Sequence, residues 1–176
     1  MPLAIELFFD PATEAAIRSL WSALAAAGVC DHMANSHSRP HISLSVLEEM
    51  PEAELHRILN RFGATQPSLS LTLSVQGRFP HTAVAFLAPK PSVKLLAMQQ
   101  WLHTELVRAG AVVSPLYLPS AWVPHCTLAT KAALSATEKL TRILDDQALP
   151  ATIRVESVGL VRFAPVIHLQ DFRLCA

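Results

Sequence analysis

Two histidines in matched surroundings are the residues of this chain best suited to chemistry. Residues 40–44 read PHISL and residues 124–128 read PHCTL, so each histidine is followed two places later by a hydroxyl residue. The two histidines, His41 and His125, differ in number by 125 − 41 = 84. The same offset relates three further pairs, which indicates a duplicated plan: Glu54 and Glu138, Arg78 and Arg162, Phe79 and Phe163.

The types and spacing of these residues predict a specific chemistry. In an extended strand, side chains two residues apart point to the same face, so His41 should share a face with Ser43, and His125 with Thr127. Imidazole titrates near neutral pH. One histidine can therefore take a proton from a nucleophile while the other gives a proton to the leaving oxygen. The two hydroxyls can donate hydrogen bonds to phosphoryl oxygens on which charge builds. Together they predict cleavage of a phosphodiester.

No set of metal ligands accompanies the two histidines in the sequence. They lie in separate halves of the chain, no carboxylate is expected beside either ring, and HxxEH or HExxH spacing is absent. We therefore predict chemistry that uses neither a metal nor a cofactor.

Composition narrows the class of protein and of partner. A hydrophobic fraction of 51% and a charged fraction of 16% over 176 residues predict one compact domain, 1–176, which we expect to be monomeric. The 14 basic and 14 acidic residues cancel, which disfavours duplex DNA and fits a small or terminal phosphate. Cys30, Cys126 and Cys175 form no CxxC pair, which favours a reducing compartment. Without a signal-peptide pattern or an apolar run of ~20 residues, we expect a cytoplasmic protein that spans no membrane.

Hydrophobic periodicity predicts alternating strands and helices. Strands are expected over 3–9, 41–47, 69–75, 83–87, 125–129 and 153–163, with a hairpin completed by 165–175, and helices over 12–27, 51–62, 92–109 and 135–144. Asp10 and Pro11 should begin the first helix, and Gly63 should end the second. Ser135 and Glu138 fit a capping box on the last helix. The polar segment 29–39 is predicted to be a loop.

The order of these elements predicts an α+β fold. Each half carries a strand, a helix, the motif strand, a second helix and a hairpin, and hairpins favour antiparallel pairing. We expect a bilobal, duplicated fold related by a pseudo-twofold axis, with two antiparallel-rich sheets facing a central cleft and the helices outside. The two motif strands would then face each other across that cleft.

The paired motifs resemble those of the 2H phosphoesterase superfamily, and within it the bacterial branch of 2′-5′ RNA ligases and cyclic nucleotide phosphodiesterases. The likeness covers nearly the whole chain and rests on the two His-x-Ser/Thr-Leu phrases. It implies that His41 and His125 are the catalytic pair and that Ser43 and Thr127 hold the phosphate. Ser43 stands where Thr is commoner in the family, which loses a methyl group but keeps the hydroxyl.

The resemblance also implies a substrate and a reaction. The substrate would be a nucleotide or RNA-terminus phosphate, and the reaction would open a 2′,3′-cyclic phosphate to a 2′-phosphate or run in reverse as a 2′-5′ RNA ligase. One alternative is a non-catalytic nucleotide or RNA-end binding module on the same fold. Another is a phosphoesterase for a different small phosphate, such as an ADP-ribose cyclic phosphate or a 2′-5′ oligonucleotide. Which histidine is the acid and which the base stays open.

Four further residues are candidates for substrate binding. Arg78 and Arg162 share the repeat offset and could face a phosphate, although duplication alone also explains them. Tyr117 and Trp122 lie in the Pro-rich loop before the second motif, where aromatic rings can stack on a nucleobase, although Trp122 could equally cover the core. Phe79 and its repeat counterpart are interpreted as hydrophobic plugs at hairpin ends.

Two basic residues flank the motifs, Arg39 before the first and Lys131 after the second. Either could add positive charge at the mouth of the cleft. We interpret both as side chains that face solvent.

Overall fold

The computed structural model describes residues 2–48, 50–79, 82–130, 132–147, 149–150, 152–163 and 165–176. Within these ranges the chain forms eight strands and five helices. The strands are β1 (Leu3–Phe9), β2 (His41–Leu47), β3 (Leu69–Leu71), β4 (Leu73–Arg78), β5 (Ala85–Pro89), β6 (Cys126–Ala129), β7 (Ile153–Arg162) and β8 (Ile167–Arg173). The helices are α1 (Pro11–Ala26), α2 (His32–Asn35), α3 (Glu52–Thr65), α4 (Val93–Arg108) and α5 (Thr137–Asp146), with short 3-10 turns at Pro115–Tyr117 and Leu134–Ala136.

The strands form two antiparallel sheets, which confirms the predicted α+β class. The larger sheet has the order β2-β1-β7, and the long strand β7 then pairs with β3 along its first residues and with β8 along the rest. The smaller sheet has the order β4-β5-β6. The motif strands β2 and β6 are therefore edge strands, one from each sheet.

Each sheet combines strands from both halves of the chain. Strands β7 and β8 of the second half join β1 and β2, whereas β4 of the first half joins β5 and β6. Arg78 on β4 pairs with Ala85 on β5, and Arg162 on β7 pairs with Leu3 on β1. Each arginine is the last residue of its strand.

The strand predicted over 69–75 is divided between the two sheets. Leu69–Leu71 pairs with β7, and after Thr72 the chain crosses to pair Leu73–Arg78 with β5. Leu69, Leu71 and Leu73 are all buried, so the alternation of apolar residues continues through the crossing. Alternation reports which face is buried and carries no information about the partner strand.

Strand β1 lies in the centre of the larger sheet and is buried along its whole length. The helix α1 that follows it begins as predicted, because Asp10 Oδ1 accepts hydrogen bonds from the backbone N–H groups of Ala12 and Thr13 at 3.0 Å. The buried face of α1 includes Ile17, Leu20, Trp21 and Leu24. This packing fixes α1 against the sheets and places the indole of Trp21 toward the second motif.

Three predictions about helix boundaries are wrong. The segment 29–39 is not entirely loop, since it contains α2. Ser135 and Glu138 form no capping box, because Ser135 lies in a 3-10 turn and α5 begins at Thr137 without a side-chain cap. Gly63 does not end α3, which continues to Thr65.

Gly63 instead allows α3 to approach the larger sheet closely. A Cβ atom added to Gly63 would lie 2.7 Å from the backbone oxygen of Arg173 on β8 and 3.1 Å from Phe172 Cβ. Both neighbours belong to a paired strand, so neither can move away easily. The glycine is required by packing and not by helix termination.

We expect Gly63→Ala to destabilise the protein by about 1–3 kcal/mol, the usual cost of overpacking a core. In an exposed helical position the same change would stabilise by about 1 kcal/mol, so the sign of the effect tests the contact. The matched control is the exposed neighbour, Ala64→Gly, which should cost about 0.5–1 kcal/mol. Urea unfolding of both variants measures the difference, and a Gly63→Ala protein more stable than the wild type would contradict the close packing.

Candidate active site

The two motifs lie side by side at the edges of the two sheets. His41 is the first residue of β2, and His125 immediately precedes β6. A hydrogen bond from the His41 backbone to Cys126 Sγ links the two strands. Burial raises the pKa of the Cys126 thiol to about 12, so this thiol stays protonated at neutral pH and acts as a structural contact.

Both imidazole rings are held in the same way. His41 Nδ1 lies 2.6 Å from the Arg39 oxygen, and His125 Nδ1 lies 2.7 Å from the Val123 oxygen. In each motif the carbonyl belongs to the residue two places before the histidine. Because a carbonyl oxygen only accepts, Nδ1 must carry the hydrogen in the neutral ring, and Nε2 is the nitrogen left to exchange a proton.

Two tryptophans fix the main chain at the two hydroxyl residues. Trp122 Nε1 donates to the Ser43 oxygen at 2.9 Å, and Trp21 Nε1 donates to the Thr127 oxygen at 3.1 Å. Trp122 is only 8% exposed. Most of its ring therefore covers the core, as one of the two interpretations of this residue predicted. It also lines the cleft beside His125.

A cleft of about 520 Å³ opens at the second motif. His125 and Thr127 line it together with aromatic and aliphatic side chains, among them Phe79, Val84, Leu116, Tyr117 and Trp122. Among the described residues that line it, none is Lys, Arg, Asp or Glu. The cleft therefore suits a flat, weakly polar group placed next to the motif. A larger cavity, of about 560 Å³, lies elsewhere, between Arg18 and Arg173.

Tyr117 belongs to the cleft and also contacts the first motif. Its hydroxyl is hydrogen-bonded to the Ser43 hydroxyl. Burial raises the pKa of Tyr117, and the nearby Glu6 carboxylate raises it further. The phenol therefore stays neutral and connects the Ser43 hydroxyl to the wall of the cleft.

His125 has an aromatic environment. Its ring centroid lies 4.8 Å from that of Phe79, edge to face, and 5.3 Å from that of Phe86. Burial lowers the pKa of His125 and the neighbouring His41 lowers it further, against an opposing effect of the Val123 carbonyl. At neutral pH the ring is therefore uncharged and able to accept a proton.

The expectation that no carboxylate lies beside either histidine is wrong. Glu6 Oε1 lies 3.5 Å from His41 Nε2, and Glu6 is only 7% exposed. Antiparallel pairing of β1 with β2 sets Glu6 opposite Ser43, which brings its side chain to the first motif. One signal in the sequence pointed to it, since Glu6 is the single charged residue in the apolar run 3–9.

The two candidate arginines are engaged elsewhere. Arg78 donates to the Ala132 oxygen at 2.8 Å and to Thr137 Oγ1 at 3.3 Å, which ties the end of β4 to the segment before α5. Arg162 pairs with Glu52 at 2.6 Å. Neither arginine lines the cleft, so the hypothesis that they face a phosphate has no support from their contacts.

The flanking residue Arg39 also has partners of its own, since it pairs with Glu14 and Asp171. Lys131 lies outside the described residues, as do Pro80 and His81 of the turn after β4. Within the described part of the chain, no group of three or more His, Cys, Asp and Glu residues is placed to hold a metal ion. In the same residues, no helix is long and apolar enough to cross a membrane.

Two antiparallel sheets that bring matched imidazole and hydroxyl pairs together at their edges define a two-histidine phosphoesterase. The family model described as the 2′-5′ RNA ligase superfamily matches residues 9–165, and the chain belongs to that superfamily. This confirms the family expected from the paired motifs. Among curated proteins, none matches the chain.

Solved structures of low sequence identity share the fold. Escherichia coli LigT in its apo form superposes with a TM-score of 0.68 at 18% identity, covering 99% of this chain and 98% of that one. LigT complexed with 3′-AMP superposes with a TM-score of 0.65 at 21% identity, covering 100% of each chain. The protein TT0787 of Thermus thermophilus gives 0.67 at 20% identity, covering 99% of this chain and 98% of that one.

Proposed function

We propose that this protein is a metal-independent phosphoesterase that opens 2′,3′-cyclic phosphates of nucleotides or RNA ends to 2′-phosphates. The observation that carries the proposal is the matched tethering of the two imidazoles. Each Nδ1 faces a carbonyl two residues earlier, on two strands that touch. The Nε2 atom of each ring therefore remains available to exchange a proton, one as the acid and the other as the base of a single site.

The reaction needs four side chains. A water oxygen bonds to phosphorus while one histidine takes its proton, and the P–O3′ bond breaks while the other histidine gives a proton to O3′. The hydroxyls of Ser43 and Thr127 donate to the non-bridging oxygens, whose charge grows in the transition state. In the family's ligation chemistry an RNA 5′-hydroxyl takes the place of water and attacks the same cyclic phosphate, so each histidine keeps its role.

The cleft favours a nucleotide as the substrate. Its wall offers the rings of Phe79 and Tyr117 next to His125 and Thr127, and stacking of a base on an aromatic ring is worth about 1–3 kcal/mol. A nucleotide also occupies LigT, a protein of the same fold, in its complex with 3′-AMP. We further propose that the enzyme is monomeric and cytoplasmic and uses no cofactor.

A substrate screen tests the proposal. Purified protein is incubated with 2′,3′-cyclic nucleotides, 2′-5′ linked dinucleotides and an ADP-ribose cyclic phosphate, with and without a chelator, and products are resolved by phosphorus NMR. We expect 2′,3′-cyclic nucleotides to yield the 2′-phosphate, with the same rate in chelator because no metal takes part. Loss of turnover in chelator would contradict the mechanism. Binding without turnover of any compound over a wide pH range would favour the non-catalytic binding module.

A further inference from the structure

The two halves of the site repeat their histidines and hydroxyls but differ at one equivalent position. In the larger sheet, Ser43 of the motif strand pairs with Glu6 on β1. In the smaller sheet, Thr127 of the motif strand pairs with Phe86 on β5. The duplication has therefore placed a carboxylate beside the first motif and a phenyl ring beside the second.

This difference acts on the charge of the two rings. Glu6 Oε1 lies 3.5 Å from His41 Nε2 in a site shielded from water, where opposite charges attract much more strongly than in bulk solvent. A positive charge on His41 therefore has a carboxylate partner at 3.5 Å. His125 packs instead against the uncharged rings of Phe79 and Phe86, and burial lowers its pKa.

The other titratable groups around His41 do not alter this balance. Cys126, across the strand contact, and Tyr117, which reaches the motif through Ser43, are both uncharged because burial raises the pKa of each. His125 is the remaining neighbour, and two imidazolium ions at one site would repel each other. The pair therefore favours a single proton, and the carboxylate beside it lies next to His41.

We propose that Glu6 is a positioning residue that keeps this proton on His41, making His41 the general acid and His125 the general base of ring opening. The proposal rests on the phosphoesterase function proposed above. As water attacks, its proton passes to His125 Nε2. The proton on His41 Nε2 passes to O3′ as the P–O3′ bond breaks. Solvent then returns the proton from His125 to His41, so the cycle begins again with the same distribution.

Glu6→Gln tests the proposal because it removes the charge while keeping the size and hydrogen-bonding capacity of the buried side chain. The titration of both rings is followed by nitrogen NMR in the wild type and the variant. In the wild type we expect His41 to hold its proton at a pH where His125 has already lost its own. In Glu6→Gln, His41 should lose its proton at a lower pH than in the wild type, with little change at His125.

The kinetic arm uses a 2′,3′-cyclic nucleotide. The alkaline limb of kcat/KM should move to lower pH in Glu6→Gln, with the acid limb in place. The matched control is Glu52→Gln, a surface carboxylate paired with Arg162, which should leave the profile unchanged. A displaced acid limb would show that His41 is the ring that loses its proton first, and it would overturn the role given to Glu6.

The NMR arm needs no turnover, so the two proposals can fail separately. Absence of turnover with the expected ring titrations would reject the phosphoesterase function alone. Loss of the His125 proton at a higher pH than that of His41 in the wild type would overturn the role of Glu6, even if Glu6→Gln does not fold. An unchanged His41 titration in a folded Glu6→Gln protein would overturn it as well.

Discussion

Replacing either His41 or His125 with alanine is expected to lower kcat on a 2′,3′-cyclic nucleotide by about 10²–10⁴-fold, the usual contribution of a general acid or base. The loss should fall on kcat more than on KM, because the proton transfers take place in the transition state. The Nδ1 hydrogen bond of each ring is to a carbonyl of its own segment. Folding should therefore survive in both variants, with some loss of stability in His41→Ala because the buried Glu6 loses its partner. Single-turnover kinetics of the two variants, after a check of their circular dichroism, measure the effect.

The double variant separates a shared site from two independent ones. Because the acid and the base serve one reaction, removing both should cost little more than removing one. His37→Ala is the matched control, since that ring is exposed and lies outside the cleft. Undiminished turnover in both single variants would exclude the two-histidine mechanism, and costs that multiply would exclude one shared proton-transfer step.

The placement of the motif residues could be predicted from the sequence because it depends on local geometry. A strand sets residues two apart on one face whatever its neighbours are, so the pairing of His41 with Ser43 needed no knowledge of the sheet. The duplication then pointed to a second, equivalent strand carrying Thr127. Membership of the superfamily followed from the two phrases, and the antiparallel α+β class followed from the order of strands, helices and hairpins; both are confirmed.

What depends on strand partners could not be predicted in this way. Glu6 reaches His41 only because β1 pairs with β2 in one register, and a shift of one residue would turn its side chain to the opposite face. The crossing at Thr72 was hidden for the same reason, since apolar alternation continues through it. Gly63 was predicted to end a helix because glycine often does so. The contact that explains it is with Arg173, which is far along the chain and could not be predicted from local sequence.

Equivalent positions in a duplicated fold also need not have equivalent roles. Arg78 and Arg162 occupy matching strand ends, yet one bonds to a loop carbonyl and the other to a surface glutamate. The repeat offset relates positions in the sequence, and only the contacts of a residue show whether it has a functional role. Glu6 and Phe86 are the opposite case. They pair with the two hydroxyl residues of the motifs, and their difference gives the two histidines different surroundings.

Thr127→Val is expected to lower kcat by about 10²–10³-fold, the cost of removing one hydrogen-bond donor from a developing oxyanion. Valine keeps the β-branched shape that suits a strand. The Thr127 backbone oxygen still accepts from Trp21 Nε1, so the main chain stays in place. Steady-state kinetics on a 2′,3′-cyclic nucleotide measure the loss.

The matched control is Thr127→Ser, which restores the hydroxyl without the methyl group and should remain within a few-fold of the wild type. The chain itself has both residues at this place of the motif, with Ser43 in the first motif and Thr127 in the second. Full activity in Thr127→Val would show that the hydroxyl holds no phosphate. Ser43 gives a less direct measurement, because its hydroxyl is also bonded to Tyr117. Removing it would change the cleft wall together with the donor, whereas Thr127 isolates the donor.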